Sequence, residues 1–166
     1  MKVYFSHGKE SGPHGSKIKA LAGIAVEAGL TTESIDHTTT ADPDSRVELL
    51  LESINWDEEY ILVGSSMGAY VSLTASESCS PKGLFLLAPA LYLPGYNKQV
   101  FQPKISDIEI VHGWADDVVP VQNSIEFASK HKLSLHILDS DHRLNSALPE
   151  ICELFRRFLQ NLRSSR

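Results

Sequence analysis

Ser66, Asp116 and His142 lie far apart along this chain, yet their side chains together could form a covalent bond and move a proton. A serine hydroxyl is a poor nucleophile at neutral pH and needs a base within hydrogen-bond reach. Ser66 is the central serine of Gly64-Ser65-Ser66-Met67-Gly68, directly after the apolar run Tyr60-Ile61-Leu62-Val63. A strand feeding such a Gly-x-Ser-x-Gly turn, with a helix behind it, lifts the serine into solvent on a strained backbone. The glycines have a steric reason: the positions two residues either side of the serine lie too close together for side chains. His142, in Asp139-Ser140-Asp141-His142-Arg143-Leu144, is the candidate base. The base in turn needs a carboxylate that fixes its tautomer and stabilises the imidazolium. The segment from His112 to Pro120 offers two, Asp116 and Asp117. Asp116 is preferred, four residues after His112 and ahead of a Val-Val-Pro that starts a helix; Asp117 reads as a helix-entry or surface carboxylate. Asp139 and Asp141 are too local to His142 to orient its ring.

Acyl chemistry also needs two backbone N–H groups aimed at the charge that forms on the carbonyl oxygen. Met67, next to the nucleophile, supplies one. The loop Ser6-His7-Gly8-Lys9-Glu10-Ser11-Gly12-Pro13 supplies the other, expected at Lys9, with His7 and Gly8 beside the substrate. Tyr92, Tyr96, Phe101 and Trp114 are read as pocket-lining or as packing aromatics, and Tyr92 and Trp114 are carried forward as substrate contacts. His7, His14, His112 and Asp116 match no zinc spacing, so no metal is expected. His37, His131 and His136 read as surface or strand histidines.

The elements that must position these groups are legible as alternating runs. Strands are expected at 2–6, 32–37, 60–64, 83–88, 108–112 and 133–138, mostly continuous and apolar, as for strands covered on both faces. Between them, Ile18, Leu21, Ala25 and Ala28 keep helical spacing and Gly29 stops the element. Val47, Leu50, Leu51 and Ile54 mark a second helix, with Ser45 and Glu48 as a capping box. A third is expected over 68–76, a fourth after Pro120, and a long last one through Leu148, Ile151, Phe155, Phe158 and Leu162. Such alternation predicts an α/β fold: a three-layer α/β/α sandwich on a mostly parallel sheet of about six strands. Residues 89–106 break the rhythm and read as a long loop at the strand ends where ligands bind.

Composition narrows the class. The chain has 166 residues, 42% hydrophobic and 22% charged, which suggests one domain over 1–166. A net charge of −6 leaves no basic footprint for nucleic acid or anionic lipid. Two distant cysteines, Cys79 and Cys152, suit a reducing compartment. No run approaches the ~20 apolar residues of a membrane span, and the N-terminus lacks a signal-peptide layout. A cytoplasmic protein, monomeric or a small homo-oligomer, is expected.

The nucleophile, acid and base occur in the order Ser, Asp, His, as in α/β-hydrolases. The chain resembles that superfamily over essentially its whole length. More narrowly, 5–13 with Ser16 and Lys17, Gly-Ser-Ser-Met-Gly-Ala-Tyr, Ala88-Pro89-Ala90 and Asp141-His142-Arg143 resemble small bacterial esterases of the YqiA type. Lys9-Glu10 departs from the aromatic-Asn more usual there. The resemblance implies a minimal α/β-hydrolase fold that starts at the strand bearing the oxyanion loop and has no cap domain. It implies Ser66, Asp116 and His142 as nucleophile, acid and base, small esters as substrates, and no cofactor. A thioesterase or amidase on the same triad is the nearest alternative, and a non-catalytic hydrolase-fold binding module the more distant one.

Overall fold

Apolar runs covered on both faces pair side by side, and they do so here in one parallel sheet. The computed structural model describes residues 1–164. Its strands are β1 (Lys2–Ser6), β2 (Thr31–Ile35), β3 (Tyr60–Ser65), β4 (Leu84–Leu87), β5 (Ile108–Gly113) and β6 (Ser134–Leu138). Its helices are α1 (Ser16–Glu27), α2 (Pro43–Ser53), α3 (Met67–Ala75), α4 (Val121–His131) and α5 (Leu148–Ser164). The six strands run in the order β2-β1-β3-β4-β5-β6, every neighbouring pair parallel.

Side chains alternate across the strands and so build two cores. Tyr4, Leu62, Leu86 and Ile110 face a layer containing α2, α3 and α4, while Val3, Phe5, Val63, Phe85 and Val111 face α1 and α5. Helix α3 has eight of its nine residues buried, which explains its largely apolar, uncharged sequence. Helix α5 shows the opposite pattern, burying only Ile151, Phe155, Phe158 and Leu159.

Two boundaries differ from the sequence reading by more than one residue. Helix α2 starts at Pro43, and its cap is Asp42, whose carboxylate accepts from Ser45 N–H at 2.7 Å. Proline at the first helical position and an aspartate before it outcompete the Ser45–Glu48 box three residues later. Strand β2 ends at Ile35, because His37 N–H donates to His7 Nε2 at 3.0 Å instead of continuing the ladder. Gly29 ends α1 as expected. With φ +76°, it lets its own N–H reach Val26 O and Leu30 N–H reach Ala25 O, a Schellman closure.

The sheet order reverses direction between β1 and β3. The chain leaves β1 toward α1 on one face and leaves β3 toward α3 on the other, opening a crevice at their carboxyl ends. Ser66 stands at that crevice. Residues 89–106 form neither helix nor strand, and Leu91 and Phe101 anchor the segment in the core.

Candidate active site

Ser66 joins the end of β3 to α3 with φ 55° and ψ −117°, a conformation few L-residues adopt. Neighbouring backbone holds it there. Ser66 N–H donates to Leu87 O at 2.8 Å, and Ser66 O accepts from Ala90 N–H at 3.1 Å. A Cβ on Gly64 would lie 2.3 Å from Gly68 O, and one on Gly68 would lie 1.9 Å from Ser6 O. The two glycines are therefore a requirement of close backbone approach.

The loop after β1 is fastened from beneath. Arg46 of α2 is 2% exposed and directs one guanidinium nitrogen at His7 O and Gly8 O, 3.4 and 3.3 Å away, while its Nε donates to Thr40 O at 2.9 Å. His7 Nδ1 donates to the same Gly8 O at 2.7 Å, and its Nε2 accepts from His37 N–H. That pattern makes His7 a neutral Nδ1–H tautomer, and burial indeed lowers its pKa. In a trans peptide the N–H points opposite its C=O, so two groups pulling on Gly8 O turn the Lys9 N–H the other way. Neither the Lys9 nor the Met67 N–H has a partner among the described residues. Gly8 itself abuts Ser66, whose Cβ lies 3.5 Å from where a Gly8 Cβ would be.

His7 thus differs from its expected place beside a substrate. It is wholly buried with both ring nitrogens engaged in holding the loop. His37 differs too: it is buried, with Nε2 3.0 Å from Ser6 Oγ and Nδ1 without a partner, and burial, aided by the Arg46 charge, lowers its pKa to about 4. His136 lies on β6 with Nε2 3.1 Å from Glu109 Oε2, and His131 packs on Phe127.

The remaining two groups come from the loops after β5 and β6. These loops are zipped together by Trp114 N–H to Leu138 O at 2.9 Å and Ala115 N–H to Ser140 O at 3.0 Å. Gly113 permits that approach, since a Cβ there would meet Ser140 O at 2.3 Å. Across the zipper His142 Nδ1 lies 2.7 Å from Asp116 Oδ2, and His142 Nε2 lies 3.0 Å from Ser66 Oγ. The Asp116 carboxylate is fully buried; its Oδ1 accepts from Val118 and Val119 N–H at 2.9 and 2.8 Å. Asp117 is exposed on the same loop.

Several groups beyond those singled out in the sequence support His142. Asp141 Oδ1 accepts from Arg143 and Leu144 N–H at 3.0 and 3.2 Å, shaping a turn in which Leu144 has φ 58°. Lys17 of α1 donates from Nζ to Arg143 O, and burial pulls its ammonium below the ordinary lysine value. His112 is fully buried against Asp116. Lys17 escapes sequence reasoning because its contact spans 126 residues, whereas Asp141 and His112 act on near neighbours in the chain. The available signal was a histidine at the end of the otherwise apolar face Ile108, Ile110, His112.

Around this centre the aromatics divide. Phe101 is 1% exposed and packs edge-on against Tyr70 and Phe127, and Tyr96 packs against Tyr70; both belong to the loop's own packing. Tyr92 is partly buried against Phe101. Trp114 and Val118 stand out at 61% and 59% exposure, one on each side of Asp116 in the chain. Among the described residues no group of three or more His, Cys, Asp or Glu is placed to hold a metal ion. No described helix is long and apolar enough to cross a membrane.

Strand order, elbow and loop placement together define an α/β-hydrolase fold. Comparison with solved structures agrees. A Xanthomonas campestris protein of the α/β-hydrolase superfamily superposes with a TM-score of 0.90 at 29% identity, over 96% of this chain and 98% of its own. Est1E from Butyrivibrio proteoclasticus, a protein also seen with ferulic acid bound, gives 0.81 at 17% identity over 98% and 88%. A lid-less α/β serine hydrolase from Xanthomonas campestris gives 0.75 at 20% identity over 96% and 81%. No family model and no curated protein matches the sequence. The first of these supports hydrolase activity in general, and the other two show the fold.

Proposed function

We propose that the protein is a serine hydrolase that cleaves small carboxylic esters through an acyl-enzyme. The observation that carries the reading is the continuous chain from Ser66 Oγ through His142 to Asp116, at 3.0 and 2.7 Å. Ser66 Oγ attacks the ester carbonyl as His142 Nε2 takes its proton, and Asp116 stabilises the imidazolium. The Lys9 and Met67 N–H groups, both without other partners, receive the oxyanion. His142 then protonates the departing alcohol, and a water activated by the same nitrogen releases the acid and frees Ser66. Trp114 and Tyr92 serve as apolar contacts for the substrate at the rim, and Gly8 lets it approach closely. The protein works alone or as a small homo-oligomer in the cytoplasm, with no cofactor.

The test is turnover of short aryl esters together with labelling by a fluorophosphonate. Wild type is expected to react with both, and Ser66→Ala to lose roughly 10⁴-fold or more in kcat while keeping its circular dichroism spectrum. Undiminished turnover in Ser66→Ala overturns the proposal. Thioester, amide and feruloyl ester substrates in the same panel distinguish the acyl and leaving groups.

A further inference from the structure

His112 is more than a neighbour of Asp116. Its side chain is fully buried, with Nε2 2.9 Å from Asp116 Oδ2 and 3.0 Å from Val119 O. Both of those atoms are acceptors, so Nε2 must carry the hydrogen. The other nitrogen, Nδ1, lies 2.7 Å from Ser124 Oγ of α4 and accepts the hydroxyl hydrogen. Ser124 is itself buried, so this tautomer has no competing solvent. Burial lowers the pKa of His112, in keeping with a neutral ring.

We propose that His112 is a positioning residue for the Ser66–His142–Asp116 centre, sharing Asp116 Oδ2 with His142 and extending the polar chain to Ser124. The proposal rests on the serine-hydrolase reading. Its physical content is that Asp116 accepts from Val118 and Val119 N–H on Oδ1 and from His142 on Oδ2, while the single His112 N–H, which donates to Val119 O at 3.0 Å, lies 2.9 Å from the same Oδ2. The two backbone bonds on Oδ1 and the two imidazoles against Oδ2 resist a rotation that would present the other oxygen to His142. The His112 N–H also draws part of the Oδ2 charge away from His142. Removing it leaves more negative charge at the base, which favours the imidazolium and moves the acidic limb of the rate profile to higher pH. The other charged groups around this pair are Lys17 from α1 and Asp141 and Arg143 on the His142 loop, and none changes in the variants below.

The experiment compares His112→Gln, which keeps a donor near the Nε2 position, with His112→Phe and His112→Asn, which do not. Rates are expressed per fluorophosphonate-titrated site, so that misfolded protein is not counted. Phe and Asn are expected to lower kcat about ten- to a hundredfold with KM nearly unchanged, the scale of losing one hydrogen bond to a charged group. Their acidic limb in kcat/KM should move up by about half a pH unit or more, while Gln recovers most of the rate and the wild-type profile. If Phe does not fold, Asn against Gln carries the same comparison. A labelled wild type whose Phe or Asn variant keeps both its rate per site and its pH profile overturns the role of His112 alone. An unlabelled wild type overturns the hydrolase reading and this inference with it.

Discussion

One of two adjacent carboxylates reaches His142, and burial separates them. Asp116 Oδ2 stands 2.7 Å from the ring with its side chain fully buried, whereas Asp117 points to solvent. In the proposed mechanism an amide at 116 would turn an N–H toward His142 Nδ1. The ring would answer by moving its hydrogen to Nε2, leaving nothing to accept the Ser66 proton. Asp116→Asn is therefore expected to lower kcat on a short aryl ester by roughly 10⁴-fold, and Asp117→Asn to stay within about twofold. Equal losses in the two variants, measured side by side, would show that the orienting carboxylate was misassigned. Arg46 belongs to the same scale. Its guanidinium meets carbonyl oxygens and no carboxylate among the described residues, so its charge acts on the peptides of the loop after β1.

At the scale of elements, the site depends on three junctions at the carboxyl edge of the sheet: β1 with its loop, β3 with α3, and the zippered loops after β5 and β6. A displacement of about 1 Å at the reacting atoms can cost on the order of a hundredfold in rate. Gly113→Ala places a methyl group where Ser140 O and Asp141 O now lie, at 2.3 and 2.7 Å, and must separate the loops that bring Asp116 to His142. We expect about a hundredfold loss of kcat with secondary structure retained by circular dichroism. Gly23→Ala is the control, because it lies within α1 and a Cβ there meets nothing within 4 Å. That variant should keep full activity and melt a few degrees higher, as expected for about 1 kcal/mol of helix propensity. A fully active Gly113→Ala variant would show that the zipper is dispensable.

Across the whole molecule, buried histidines link stability to pH. His37 takes up a proton near pH 6.5 when unfolded but only near pH 4 when folded, chiefly because burial opposes its charge. Between those values the unfolded chain binds more protons. Stability therefore falls as the pH drops from about 6.5 toward 4, by on the order of 3 kcal/mol for this group. His7 and His112 are lowered for the same first reason and act in the same direction below their unfolded value. Urea unfolding followed by circular dichroism should show a clearly lower midpoint at pH 5 than at pH 7. A midpoint unchanged over that range would mean the three rings remain solvated.

Local rules made the framework legible. Short runs, mostly continuous and apolar, marked all six strands to within a few residues, Gly29 marked the end of α1, and Gly64 and Gly68 framed Ser66, because periodicity and backbone freedom act over a few residues. Partner choice does not. Asp116 and Asp117 are one position apart in a loop, and only the path of that loop around β6 decides which is enclosed. His7, His37, Arg46 and His112 are ordinary polar residues in sequence, and they became supports because the sheet order carried them beneath the crevice with acceptors already waiting. A side chain's type announces what it can donate or accept; whether water or protein answers is determined by folding alone.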